Sequence, residues 1–285
     1  MLDGSAPVWV LLRGLSRESG HWGAFPELLR EALETQQPGA QLVLLDLPGN
    51  GEHCHETSPM QVSRMVEFCR AQLASRGVRG PVHLLAMSLG AMVSSEWAYR
   101  YPEELSGTVL INASVRPFSP VYRRARPFNY LALLLLSLTR LGLRQREAKV
   151  LRLTTRMLAQ PAVVLDDWVE LQRKRPVGLR NTVRQWLAAA RYRASLVRPK
   201  VPVLLLCSQA DALVDWRCSQ ALSRAWGAPL RLHTQAGHDL PLDDGLWVAR
   251  AVRDWLAGMH KAMSQGQVRG MELGGAVPEL GLPAA

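Results

Sequence analysis

The sequence predicts an α/β protein: a mostly parallel, doubly wound sheet with helices on both faces, interrupted by one helical insertion. Three observations predict it. Short runs rich in Leu and β-branched residues, bounded by Gly, Pro or Asp, alternate with longer amphipathic stretches through the first half of the chain. Each connection between successive runs is long enough to return the chain in the same direction. The alternation stops after Asn112 and resumes at Val201, which marks the stretch between them as inserted.

The first strand, residues 7–12, carries Val8-Trp9-Val10-Leu11-Leu12 and ends at Arg13-Gly14. A helix over 22–35 follows. The second strand, 41–45, ends on Asp46-Leu47-Pro48-Gly49-Asn50-Gly51, which has the composition of a tight turn and is assigned to structure. A helix over 59–75 leads to a third strand at 82–86, and a helix over 89–100 leads to a fourth at 107–112. After the insertion come a strand at 201–207, a helix near 219–226, a strand at 230–233 and a last helix at 246–260. The core then comprises residues 1–114 and 201–262, and the insertion 115–200. A tail, 263–285, is rich in Gly, Pro and Ala without a usable period and is expected to be disordered. In such a fold reactive groups lie at the carboxyl ends of the strands.

A chain of 285 residues, 48% hydrophobic and 20% charged, can bury a core, which excludes collagen-like, low-complexity and disordered classes. Its net charge of +10 is unevenly spread. Between Arg116 and Lys200 there are 19 basic residues and 4 acidic ones, so the rest of the chain is net acidic. Cys54, Cys69, Cys207 and Cys218 form no CxxC pair and no metal-like spacing, which suits a reducing cytosol. The N-terminus has an acid where a secretory leader needs a base, so no leader is expected. The longest apolar stretch, 130–143, contains Arg140 and falls short of the ~20 residues that cross a bilayer. A cytoplasmic protein is expected.

The third strand runs Val82-His83-Leu84-Leu85-Ala86 into Met87-Ser88-Leu89-Gly90, where a helical stretch opens. This is a small-x-Ser-x-Gly elbow. A nucleophile on a sharp strand-to-helix turn needs small neighbours two positions away on each side, because the backbone is strained and the helix packs close. Ala86 and Gly90 supply them. The turn directs the backbone N–H of Leu89 at any oxyanion formed on an attacked carbonyl. Taken alone, the tripeptide fits a plain helix N-cap equally well.

A serine hydroxyl needs a base, and the base needs an orienting acid. Asp211 follows Val203-Leu204-Leu205-Leu206-Cys207 after a short turn, and His238 lies in Gln235-Ala236-Gly237-His238-Asp239 just after the last strand. Asp215 and Asp239 compete with Asp211, but only Asp211 falls immediately beyond an apolar strand. A second oxyanion donor is expected from the loop after the first strand, with the N–H of Leu15 as candidate.

These segments together resemble the α/β-hydrolase superfamily, in its compact form with a helical lid. The resemblance rests on Arg13-Gly14-Leu15 with Trp22 downstream, Asp46 to Gly51, Ala86 to Gly90, Ser208-Gln209-Ala210-Asp211, and Gly237-His238-Asp239-Leu240-Pro241, five elements in the superfamily's order. It implies Ser88 as nucleophile, Asp211 as orienting acid and His238 as general base then acid. Because Ser stands at the nucleophile position, it disfavours the dehalogenase and epoxide-hydrolase chemistries that use Asp there. The chain departs from the pattern in three ways. Ala86 opens the elbow in place of Gly, Arg13 precedes Gly14 where many relatives have His, and the chain starts almost at the first central strand. The last of these predicts a small sheet of about six strands.

The expectation is a serine hydrolase acting on a carboxylic ester or thioester through an acyl-enzyme, with no metal or organic cofactor. The alternative is a noncatalytic binding protein that keeps the fold and uses the basic insertion as its interface. Within 147–160, Val150, Leu151, Leu153, Met157 and Leu158 gather on one helical face, with Lys149, Arg152 and Arg156 opposite. This suits a packed lid, a docking face for an acidic carrier protein, or contact with an anionic membrane surface. Nucleic acid is disfavoured, since the basic residues show no groove-reading motif. His53 and His55 flank Cys54 but lack a closed ligand set and read as an ordinary loop. His83 reads as packed in its strand, His21 as structural, and His233 and His260 as surface or strand-end residues.

Overall fold

The computed structural model describes residues 6–126 and 142–264. Six strands form one all-parallel sheet: β1 (Val8–Leu12), β2 (Gln41–Leu45), β3 (Val82–Met87), β4 (Leu105–Ile111), β5 (Val203–Ser208) and β6 (Leu230–His233), in the spatial order β2-β1-β3-β4-β5-β6. Each lies within two residues of its predicted bounds. The β3 and β5 strands are buried at every position, as a sheet covered on both faces requires.

Helices α1 (Phe25–Leu33), α2 (Val62–Ser75), α3 (Leu89–Arg100), α7 (Arg217–Trp226) and α8 (Gly245–Ser264) belong to the core. The insertion contributes a single turn at Val121–Arg124 and helices α4 (Leu143–Thr154), α5 (Pro161–Lys174) and α6 (Leu179–Arg191). On one face of the sheet Val10, Leu12, Leu84, Ala86 and Leu205 pack with apolar residues of α2, α3 and α7. On the other, Trp9, Leu11, Leu85, Val109 and Leu206 meet α1 and α8. Phe25, Leu29 and Leu33 recur every four residues and present one buried stripe of α1 to that cluster. Each such side chain contributes about 1.5–3 kcal/mol by leaving water.

The chain runs from β1 outward to β2, then returns across β1 to build β3 and the remaining strands on its other side. The direction of winding reverses between β1 and β3, and the loops at their carboxyl ends diverge to leave a crevice. Register brings Leu12 beside Ala86, Met87 beside Ile111, and Ser208 beside His233. The loops that follow these strands therefore open at one rim.

Two predicted helices differ in the structure. The 22–35 helix is a 3-10 turn at Ser19–Trp22 followed by α1, whose first turn holds Pro26. The amphipathic stretch 147–160 is helical only to Thr154, so Met157 and Leu158 lie beyond the face assigned to them. The cause is tertiary. The Thr154 carbonyl accepts the Asp239 N–H at 2.8 Å, and the Asp243 carboxylate accepts the N–H groups of Arg156 and Met157 at 2.9–3.0 Å, which satisfies that backbone without a further helical turn. Most of the apolar stretch 130–143 and nearly all of the predicted tail lie outside the described residues.

Candidate active site

Ser88 is the residue between β3 and α3, and its backbone has φ 54° and ψ −113°, a conformation that costs a non-glycine residue of order 1–3 kcal/mol. The strain is held in place by the Ser88 N–H, which donates to the Ile111 carbonyl at 3.0 Å, and by α3 starting at Leu89. Gly90 lets that helix press onto the end of β1: a Cβ there would lie 2.5 Å from the Leu12 carbonyl oxygen and 2.6 Å from that of Arg13. A Cβ on Gly14 would stand 3.2 Å from Ser88 Cβ, so the loop after β1 passes directly beside the serine.

Leu15, Ser88 and Leu89 line one cavity of about 120 Å³ with Met92 and Trp186. The Leu89 N–H is the first of α3, where a helix leaves its donors without intrahelical partners. The loop carrying Leu15 is tied to the insertion by its next residue, since the Ser16 N–H donates to Gln185 Oε1 at 2.8 Å and Ser16 Oγ lies 3.0 Å from Thr182 Oγ1.

His238 Nδ1 lies 2.6 Å from Asp211 Oδ2, and both residues are buried. The other oxygen of Asp211 accepts the N–H groups of Leu213 and Val214 at 2.7 and 3.0 Å, which fixes the carboxylate. Burial works most strongly against a charged imidazole here, but the charge and hydrogen bond of Asp211, with Asp239 beyond it, outweigh burial and the opposing Arg13, and the pKa of His238 is raised. The competitors of Asp211 are occupied elsewhere. Asp215 accepts the Arg217 N–H at 2.9 Å at the start of α7, and Asp239 holds Arg13.

Ser88 Oγ makes no hydrogen bond with His238 among the described residues. The structure relates them through β4: Asn112 follows the strand whose Ile111 carbonyl holds the Ser88 N–H, and Asn112 Nδ2 donates to the His238 carbonyl at 2.7 Å. Asn112 also accepts the Ser208 N–H at 2.9 Å and has φ 49°, so it ties the ends of β4 and β5 to the loop carrying the imidazole. The sequence reading assigned Asn112 only the end of a strand.

It also missed the partner of Arg13. The guanidinium forms two parallel hydrogen bonds to Asp239, at 3.0 and 2.5 Å, and lies 4.7 Å from the centre of the Trp22 ring. This buried pair joins the residue before Gly14 to the residue after His238. A signal was present in Arg standing where relatives carry His, but nothing local to Arg13 names a partner 226 positions away.

A family profile for α/β hydrolases matches residues 9–251. The chain belongs to the α/β hydrolase family. Among curated relatives of this hydrolase, RutD of Cronobacter turicensis, provisionally named a carbamate hydrolase, is 30% identical over 246 residues, covering 82% of this chain and 84% of its own. The biotin biosynthesis bifunctional protein BioHC of Cellvibrio japonicus is 26% identical over 92% of this chain, which spans 50% of that protein. A crystal structure provisionally described as a lipase, lip1 of Acinetobacter baumannii AYE, superposes with a TM-score of 0.71 at 19% identity, covering 91% of this chain and 86% of that one.

Four of the other histidines have structural surroundings, whereas His55 and His260 are exposed. His21 is buried with its Nδ1 accepting the Glu18 N–H, and burial with Arg17 and Arg13 nearby holds its pKa well below the ordinary value. His83 stacks on Trp9, and burial lowers its pKa to about 4. His53 meets Gln72 Oε1 at 3.1 Å, and no group of three metal-ligating side chains occurs among the described residues. His233 ends β6 but is buried rather than at the surface, with Asp244 Oδ2 at 3.3 Å from its Nε2. Asp46 accepts the N–H groups of Ser19 and Glu52, in keeping with a structural turn. No described helix is long and apolar enough to cross a membrane.

Proposed function

We propose that this α/β hydrolase cleaves a carboxylic ester or thioester through an acyl-enzyme on Ser88. The observation that carries the reading is the buried Asp211–His238 contact of 2.6 Å on the rim where the strained Ser88 backbone presents its side chain. Ser88 Oγ attacks the carbonyl carbon while His238 Nε2 takes its proton. The bond to the leaving oxygen or sulfur then breaks, and that atom takes the proton from His238. Water attacks the acyl-enzyme by the same route in reverse, giving the acid and restoring the serine. The N–H groups of Leu15 and Leu89 stabilise both oxyanions. The name of RutD adds carbamates, whose carbonyl would be attacked in the same way, to the substrates for assay.

We place residues 115–200 as a lid over the core, and the protein in the cytosol on the strength of its free thiols. The basic surface of that lid suits an acidic carrier protein or an anionic membrane surface, and binding to either is expected to weaken as salt rises. The test of the chemistry is fluorophosphonate labelling together with a panel of esters, thioesters and carbamates. Labelling and turnover are expected in the wild type and lost in Ser88→Ala. Persistent labelling in the variant removes Ser88 from its role, and a folded protein inert toward the whole panel favours a noncatalytic binding protein.

A further inference from the structure

The cavity at Ser88 shares lining residues with two neighbouring cavities. Val121, Arg124 and Ala190, which help to line it, also line a groove of about 470 Å³ that adds Arg116, Ser119 and Arg193. Arg116 and Arg193 stand directly opposite one another, because their segments form an isolated parallel bridge in which the Ala194 N–H donates to the Arg116 carbonyl at 2.7 Å. Like charges set opposite across paired extended segments repel. Among the described residues, neither arginine is in an ion pair with a carboxylate and no acidic side chain lines the groove. On the other side, Leu15 is shared with a cavity of about 370 Å³ walled by Leu143, Val150 and Val177 together with Arg146 and the ion-paired Arg17 and Glu147.

A cavity with an aliphatic wall and a cationic groove thus each share lining residues with the cavity at Ser88. We infer that the substrate is an ester or thioester whose leaving group carries a phosphate, with the acyl chain on the Leu15 side and the phosphate between Arg116 and Arg193. The inference rests on Ser88 being the nucleophile. A phosphate monoester brings about 1.5–2 negative charges and three acceptor oxygens, and a guanidinium fork pairs with two of those oxygens at once. Such a group offsets the repulsion between the facing arginines, where a neutral alcohol would leave it in place. Hydrolysis transfers the oxygen of water to the acyl carbon and releases the phosphate with the protonated alcohol or thiol, so the phosphate ester itself stays intact.

The experiment compares matched leaving groups: acyl-pantetheine against acyl-phosphopantetheine, and monoacylglycerol against its glycerol-phosphate counterpart. The ratio of kcat/KM for the phosphorylated to the unphosphorylated member is expected to exceed about tenfold. It should fall by about tenfold or more in R116Q/R193Q and recover in part in R116K/R193K, since lysine keeps the charge without the fork. Both arginines are exposed, so the variants should fold, which thermal unfolding checks. Calorimetric binding of phosphopantetheine and of glycerol phosphate to full-length Ser88→Ala reads the groove without turnover. Stronger preference in one pair identifies the source as a soluble thioester or a lipid head group. Hydrolysis with ratios near one in both pairs overturns the phosphate assignment and leaves the hydrolase reading intact. Phosphate binding that depends on Arg116 and Arg193 in a protein that hydrolyses nothing supports the groove and overturns the role of Ser88.

Discussion

Asp239→Asn keeps the shape of the side chain facing Arg13 and removes its charge. The pair is well inside the protein, with side-chain exposures of 2% and 3%, and its two hydrogen bonds satisfy the ends of the guanidinium fork. Removing one member of a buried pair leaves an uncompensated charge and costs about 3–5 kcal/mol. An asparagine oxygen still accepts one of the two bonds, so Asp239→Asn should fall near about 3 kcal/mol, and Arg13→Met, which strands the carboxylate, toward the upper end. The double replacement R13M/D239L puts carbon against carbon beside Trp22 and should recover to within about 1 kcal/mol of the wild type. Urea unfolding of the four proteins at pH 7 closes the cycle, and fluorophosphonate labelling rates show whether the loops bearing Leu15 and His238 keep their geometry. Single variants that each lose less than about 1 kcal/mol would refute the reasoning, because the pair would then be solvated despite its burial.

The raised pKa of His238 puts the acid limb of the kcat/KM profile above the ordinary imidazole value of 6.5, since only the neutral ring accepts the serine proton. By linkage the same shift contributes stability below the unfolded pKa that is lost as pH rises through the folded one, which thermal unfolding across that window reads. Asp211→Asn should move the acid limb down and cut kcat by about 10³–10⁴-fold, measured as a pH–rate profile. Gly90→Ala drives a Cβ against the carbonyls of Leu12 and Arg13 and should cost about 1–3 kcal/mol by urea unfolding. Asn112→Ala strips partners from the Ser208 N–H and the His238 carbonyl and should cost about 1–3 kcal/mol, with a lower kcat and little change in KM.

The strands were legible because a parallel sheet covered on both faces needs uninterrupted apolar runs, and Val203-Leu204-Leu205-Leu206-Cys207 has no other reading as a short element between turn residues. The placement of Asp211 just beyond β5, where its carboxylate meets His238, was legible for a related reason: position beyond such a run is a local property. The clamp made by Asn112 and the pairing of Arg13 with Asp239 were not legible, because both are set by which strand ends adjoin, and a single sequence does not state that order. The end of α4 at Thr154 belongs with them. Its amphipathic period continues past the point where hydrogen bonds from the loop beyond β6 stop the helix.

The bond from Asp239 to the Thr154 carbonyl has a bearing on how this protein can be recombined with its relatives. The end of α4 and residues 237–243 form one joint, with the amide of Asp239 on one side and the carboxylate of Asp243 on the other. An exchange that swaps the inserted helices alone would pair a foreign helix end with a loop shaped for this one, and would disturb the imidazole beside it. A chimera built to trade substrate preference should therefore move both segments as a single cassette, although the bonded residues Arg156 and Asp243 stand 87 positions apart along the chain.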